Sequence, residues 1–500
     1  MDRQDYPHLQ TRRDFFRQAA CAAVGTLSVA ATIRDLHFIN TAAAQTSLND
    51  YRALVCIFLS GGNDSNNLII PIGADYSSYA SVRQNLALPE AAVLPVAPLN
   101  PDGHTYGLHP KLLKLQTLFN EGKAAFQFNV GPLSYPITRA QYTNGSVAKP
   151  PQLFSHSDQV THWETSVPDQ PPRTGWGGRI ADILHPLQHQ LINGVPAANA
   201  AKIALCTSLA GANTYEVGNT SAQYHVSTTG AVTISGVSGS QLQRMKNILA
   251  LPDTNLQRTA FADVTENALA TGDLLNAAIA RTGTAPPAPI VQLVWSTPFP
   301  TTSLGNQLKM IARLIEAGRR PSSGYLSSVG PGLDMKRQIF FASVGGYDTH
   351  TSQVGNTAAP TDPTVGSHAN LLTELSDAVF AFQRAMEQIN AANEVTAFTM
   401  SDFGRTFKTN GQGSDHAWGS HHFVVGGAVN GKRTYGTFPV LSVTGPDAVP
   451  SSNEGRWIPK TSVDEYSATL AKWFGVSQSN LGVVFPNLGR FASPDLGFML

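Results

Sequence analysis

The chain has 500 residues, and its 34 basic and 34 acidic side chains cancel to a formal net charge of zero; only 14% of residues are charged. That balance argues against nucleic acid or an anionic membrane surface as the main partner, since either favours a clear basic excess. The length suits one large α/β enzyme with insertions, and its core needs no disulfide scaffold.

Near its start, from Thr11, the chain reads TRRDFFRQAACAAVGTLSVAA. Arg12 and Arg13 stand in tandem, Asp14-Phe15-Phe16 follow, and an Ala-rich apolar run extends over Ala19–Ala31. Small residues from Thr41 to Gln45 offer a cleavage site. Residues 1–45 read as a twin-arginine signal peptide, with the Tat export machinery as partner and the periplasm or exterior as destination. The apolar run is too short and too weak for a stable membrane span. Of the three cysteines, Cys21 leaves with the signal; Cys56 and Cys206 read as buried thiols.

Residues 46–500 read as the functional domain. ALVCIFLS, Ala53–Ser60, is a continuous apolar run closed by Gly61-Gly62, the pattern of a buried strand, with Asp64 just past it. KLLKLQTLFNEGK predicts a helix ending near Gly122, and Ala124–Pro132 a second strand. Phe154–Thr165, FSHSDQVTHWET, predicts a helix start carrying His156 and His162, with Ser155 and Asp158 spaced as a capping box. Residues 197–289 break the rhythm with short Thr/Ser/Val/Gly strands, polar helices and a Pro-rich stretch, and read as an insertion or cap.

A helix follows from Ser303 to Ala317, with Gly318 as its stop. The third strand, Arg337–Gly346, leads to Asp348 and His350. A helix over Asn370–Asn390 has Leu371, Leu375, Val379, Phe382, Met386 and Ile389 on one face. The fourth strand, Glu394–Asp402, ends on Asp402. SDHAWGSHH, Ser414–His422, then packs one aspartate and three histidines into nine residues ahead of the short strand FVVGGAV. A last helix starts at Ser462 with Glu465 three residues on and stops at Gly475. Strands alternating with helices predict an α/β fold with a mostly parallel central sheet flanked by helices.

Three strand ends thus carry Asp64, Asp348 and Asp402. In a parallel sheet these ends share one edge, where ligands bind. Converging carboxylates repel one another unless a cation or protons compensate. Asp and His together suit Zn²⁺ or Mn²⁺, whereas oxygen ligands alone favour Ca²⁺ or Mg²⁺. The expected site binds one or two divalent metal ions (Zn, Mn or Ca) through Asp64, Asp348, His350 and Asp402. His416 is its first choice of closing ligand and His421 the second; His422 faces core or solvent. The plainer reading is that Gly-Gly after a strand only makes a loop. Ser155 or Ser157, at a helix N-terminus, is the candidate nucleophile for an ester, with Ser65 a weaker one. Arg405 offers a planar fork for an anionic group, or else a surface ion pair.

Together LVCIFLSGGNDSNNLIIPIG, YGLHPKLLKL, FSHSDQVTHWET, GWGGRIAD, FFASVGGYDTHTSQ, SDFGRTFKTNGQGSDHAWGSHHFVVGGAVNG and LAKWFGVSQSNLGVVFPNLGRF resemble the Tat-exported bacterial family of unknown function numbered 1501. The likeness runs from about Ala53 to the C-terminus. That family is similar in pattern to the alkaline phosphatase and sulfatase superfamily, which implies an alkaline-phosphatase-like fold. It also implies a metal-binding Asp64, a nucleophile at Ser155 or Ser157, and ligands Asp348, His350, Asp402 and His416 or His421. The usual Asp-His pair after the strand is Asp402-Phe403 here, and Asp-His appears later as Asp415-His416. The resemblance implies an exported metal-dependent hydrolase of a small-molecule or polymeric phosphate or sulfate ester. The alternative is a non-catalytic secreted protein that keeps the fold and binds a metal or glycan.

Overall fold

The computed structural model describes residues 48, 50–185, 203–231, 236–237, 239–252, 254–280, 294–321, 332–355, 361–450 and 453–500. The signal expected over residues 1–45, and parts of the 197–289 stretch, lie outside them.

The frame is a sheet of ten strands among the described residues. In chain order they are β1 (Arg52–Leu59), β2 (Ala124–Gly131), β3 (Cys206–Ser208), β4 (Tyr224–Ser227), β5 (Gly230–Ala231), β6 (Arg337–Val344), β7 (Val395–Ser401), β8 (Ser420–Gly426), β9 (Arg433–Tyr435) and β10 (Thr461–Ser462). Their order across the sheet is β9-β2-β8-β7-β1-β6-β3-β4-β5, with β10 on β2. The centre is parallel, as expected: β1 runs with β7 on one side and β6 on the other. The exception there is β8, antiparallel to both β7 and β2. The expected insertion is not wholly separate from this frame, because β3 and β4 extend the sheet beyond β6.

Six helices position the core: α1 (Leu113–Asn120), α2 (His156–Thr165), α3 (Trp176–Leu184), α4 (Ser303–Arg319), α5 (Ser367–Gln388) and α6 (Val463–Phe474). The side-chain alternation of a strand sorts β1 between two layers. Ala53, Val55, Ile57 and Leu59 pack with Leu118 and Phe119 of α1, Leu308 and Ile311 of α4 and Val379 of α5. Leu54, Cys56 and Phe58 pack on the other face with Trp163 of α2, Ile180 of α3 and Phe474 of α6. Burial on both faces explains the unbroken apolar run, and each large side chain so buried contributes about 1.5–3 kcal/mol. Cys56 and Cys206 are both buried and unpaired. None of the described helices is long and apolar enough to cross a membrane.

Two helix ends are instructive. Ser462 and Glu465 form both halves of the expected capping box on α6, and Gly475 closes it in the left-handed conformation. Gly318 does not stop α4, which runs on to Arg319. An added Cβ at Gly318 would lie 2.0 Å from Oε1 of Gln338, so this glycine instead lets the helix lie close on β6.

Candidate metal centre

Register brings the three aspartate loops to one edge. Leu59 of β1 is level with Ser401 of β7 and Val344 of β6. The chain then turns through Gly61 at φ +115°, where a Cβ would lie 2.4 Å from the backbone nitrogen of Asp348. Only glycine allows that approach. Past β7, the backbone of Gly404 pairs with that of Ala417 and Trp418, and Thr406 with Asp415. This ribbon folds His416 back over the strand ends.

The Asp348 carboxylate is the meeting point. Its Oδ1 lies 2.9 Å from Arg405 Nη1, 3.2 Å from His350 Nε2 and 3.3 Å from His416 Nε2. Its Oδ2 lies 3.6 Å from His156 Nε2. His350 Nε2 and His416 Nε2 face each other at 2.8 Å. Ligand atoms of His156, Asp348 and His416 all fall within 4.8 Å of one another.

Each imidazole is held from behind. Nδ1 of His156 donates to Asp402 Oδ2 at 2.6 Å, and Nδ1 of His350 to Asp415 Oδ1 at 2.7 Å. Nδ1 of His416 donates to the carbonyl oxygen of Phe154 at 2.8 Å. A proton fixed on Nδ1 leaves the Nε2 lone pair of a neutral ring for the centre, the usual second layer of a histidine metal site. Gly61 N–H in turn donates to Asp402 Oδ1 at 2.9 Å. The ring of Phe403 packs 4.8 Å from His156 and 4.6 Å from His416.

The local field suits a cation. Burial pulls the Asp348 carboxyl upward, but Arg405, His350 and His156 override it and hold it below its ordinary range. At Asp415, hydrogen bonds from Asn410 and His350 likewise outweigh burial. Burial pushes His416 down; the Phe154 carbonyl pulls it up, but neighbouring His156, Arg405 and His350 add to burial, and the net effect favours the neutral ring. The Asp348 side chain keeps 47% of its surface exposed, so the centre opens to solvent.

The other expected residues stand elsewhere. Asp402 serves this group through His156 rather than facing it directly. Asp64 is fully buried and ion-paired with Arg83; Gln353 donates to the same carboxylate oxygen. The structure does not bring Asp64 into the group. Nor does it bring His421, whose Nδ1 accepts the Asn129 N–H at 3.1 Å and whose ring stacks on Phe438. Burial pushes His421 down to about 3, so it is a neutral core ring. Both His421 and His422 lie within β8, not in a loop, and His422 contacts Thr399 and Trp163.

Ser155 and Ser157 bond to Asp158, not to the histidine group. Ser155 Oγ donates to Asp158 Oδ2 at 2.5 Å, and Ser157 Oγ to the same oxygen at 3.4 Å. The Ser155 side chain accepts no helix N–H, so the expected capping box does not form. Ser65 Oγ accepts the His421 N–H. Arg405 holds Asp348, and its side chain is wholly buried, so it presents no fork to an outside anion. The residue that pattern reading missed is His156, the first residue of α2, between the two serines. Its signal was position alone: a histidine opening a helix in a chain with only 14.

Residues 302–453 match the family described as "Protein of unknown function (DUF1501)", the family that the motifs resemble. The matched stretch contains Asp348, His350, Asp402, Arg405 and His416; His156 and Asp64 precede it. No curated protein matches the chain. Among solved structures, the chain is similar to the PsFucS1 sulfatase from Pseudoalteromonas sp., at 9% identity, covering 86% of this chain and 69% of that one, with a TM-score of 0.33. It is also similar to the zinc complex of the C-terminal periplasmic domain of EcEptC from Escherichia coli, at 10% identity over 87% and 86%, with a TM-score of 0.31. A third is the phosphonate monoester hydrolase SpPMH from Silicibacter pomeroyi, at 9% identity over 85% and 73%, with a TM-score of 0.30.

Proposed function

We propose that this chain, with its DUF1501 match over residues 302–453, is an exported metal-dependent hydrolase of a phosphate or sulfate ester. The observation that supports it is the convergence of His156, His350 and His416 Nε2 on Asp348, with each Nδ1 tied to an acceptor. Imidazole and carboxylate donors in this mixture fit Zn²⁺ or Mn²⁺ better than Ca²⁺, which prefers oxygen alone. Bound there, such an ion would supply a Lewis acid and lower the pKa of water toward neutrality.

The chain's own residues do the positioning. Asp402 and Asp415 hold the tautomers of His156 and His350; the Phe154 carbonyl does so for His416. Arg405 keeps Asp348 ionised. Because the hydroxyls of Ser155 and Ser157 engage Asp158, water is the nucleophile in this reading. Export by the twin-arginine route belongs to the same proposal.

The test is metal content of the exported protein, followed by turnover of phosphate monoesters, phosphate diesters and sulfate esters. His416→Ala and Asp402→Ala serve as controls. Bound metal with turnover lost in both variants is expected. A metal-free protein would overturn the site and the mechanism together. Metal without turnover would favour the binding protein.

A further inference from the structure

We infer that the Arg83 guanidinium fills the place of a second cation, so that the centre takes one divalent ion per chain; this rests on reading His156, Asp348 and His416 as a metal centre. Asp64 leaves β1 beside the ends of β6 and β7, where a second ion would find a third carboxylate. A carboxylate buried there needs a compensating positive charge. Arg83 supplies it, as buried as Asp64 itself. Arg83 Nη1 is anchored on the carbonyl oxygens of Thr406 and Phe407, at 3.1 and 3.2 Å. The Gln353 amide closes the same oxygen of Asp64. Its own Oε1 accepts from Ser414 Oγ at 2.6 Å and Thr349 Oγ1 at 3.3 Å, which fixes the amide as a donor toward Asp64.

Both groups bonded to Asp64 therefore present N–H. A metal ion needs lone pairs, and guanidinium and amide nitrogens offer none. The side-chain acceptors on either side in sequence are both engaged, Asn63 Oδ1 by His368 Nε2 at 3.1 Å and Ser65 Oγ by the His421 N–H at 2.9 Å. A second guanidinium, Arg405, pairs with Asp348 and also feels the Asp64 charge. Arg83 and Gln353 both engage Oδ2, and Oδ1 alone has no hydrogen-bond partner, so a divalent ion there would have one carboxylate oxygen to bind and the Arg83 guanidinium to repel it.

Native mass spectrometry and elemental analysis of the full chain after Zn²⁺ or Mn²⁺ loading test this. One ion per chain is expected in the wild type and in Asp64→Asn, and none in His416→Ala. Two ions in the wild type would overturn the inference without touching the centre. So would loss of an ion in folded Asp64→Asn, checked by circular dichroism. If Asp64→Asn does not fold, the wild-type count alone decides. No ion in the wild type would overturn the underlying reading as well.

Discussion

His156 joins the ends of two strands that do not touch: its Nδ1 lies 2.6 Å from Asp402 past β7, and its Nε2 lies 3.6 Å from Asp348 past β6. Strand β1 runs between those two strands. One imidazole from a helix N-terminus thus ties the two loops across a strand that contributes no side chain to the group.

Asp402 should then matter through geometry. Its two oxygens accept from His156 and from Gly61, whereas an asparagine amide offers only one acceptor. Asp402→Asn is expected to weaken metal affinity about 10–100-fold with the fold intact. Competition against a chromophoric chelator measures this. Unchanged affinity would remove Asp402 from the positioning role.

The serines make the opposite case. Ser155→Ala and Ser157→Ala each remove a hydroxyl bonded to Asp158, not to the histidine group. Once a turned-over ester is in hand, kcat should stay within about threefold in both. A drop on the order of a thousandfold in either would restore a serine nucleophile.

Gly61→Ala is expected to disrupt the centre from the backbone. Its Cβ would meet the nitrogen of Asp348 at 2.4 Å, from a φ of +115° that side chains rarely adopt. Gly345→Ala, in the loop it would strike, meets nothing within 4 Å and serves as the control. Gly61→Ala should lose bound metal and several degrees of thermal midpoint, a cost of roughly 1–3 kcal/mol for such strain. Equal behaviour of the two variants would refute the close-approach argument.

Burial pushes the Glu216 carboxyl up to about 8 from its ordinary 4.5, overriding a hydrogen bond from Asn213, and nearby Glu164 pushes the same way. The folded state therefore binds this proton more tightly than the unfolded chain does. The associated stability is fully present below pH 4.5 and is lost as pH rises toward 8. Glu216→Gln should remove that slope, worth up to about 1.4 kcal/mol per pH unit. Denaturant midpoints at acid and alkaline pH should converge in the variant. An identical slope in both proteins would show that Glu216 does not titrate there.

Much of the frame was legible locally. The β1 run, the Ser462–Glu465 cap and the periodicity of α5 each depend on residues close in sequence, and each appears within a few residues of its expected place. The aspartates past β1, β6 and β7 were legible for the same reason. Pairing partners were not. The ion pair of Asp64 with Arg83 spans 19 residues, and the hydrogen bond of His156 with Asp402 spans 246. Neither leaves a periodic trace.

The sequence by itself determined where strands end and which chemical groups stand there, because burial on both faces demands unbroken apolar runs and turns demand glycine. Only the tertiary structure decided which groups meet. Successive residues on a helix point about 100° apart, so His156 reaches the centre while Ser155 and Ser157 engage Asp158. Successive residues on a strand point to opposite faces, so His421 and His422 enter two different packing environments. In SDHAWGSHH, His416 alone among the histidines reaches Asp348, while Asp415 holds His350 from behind. Those choices turn on side-chain direction and on strand order, which residue type and spacing do not encode.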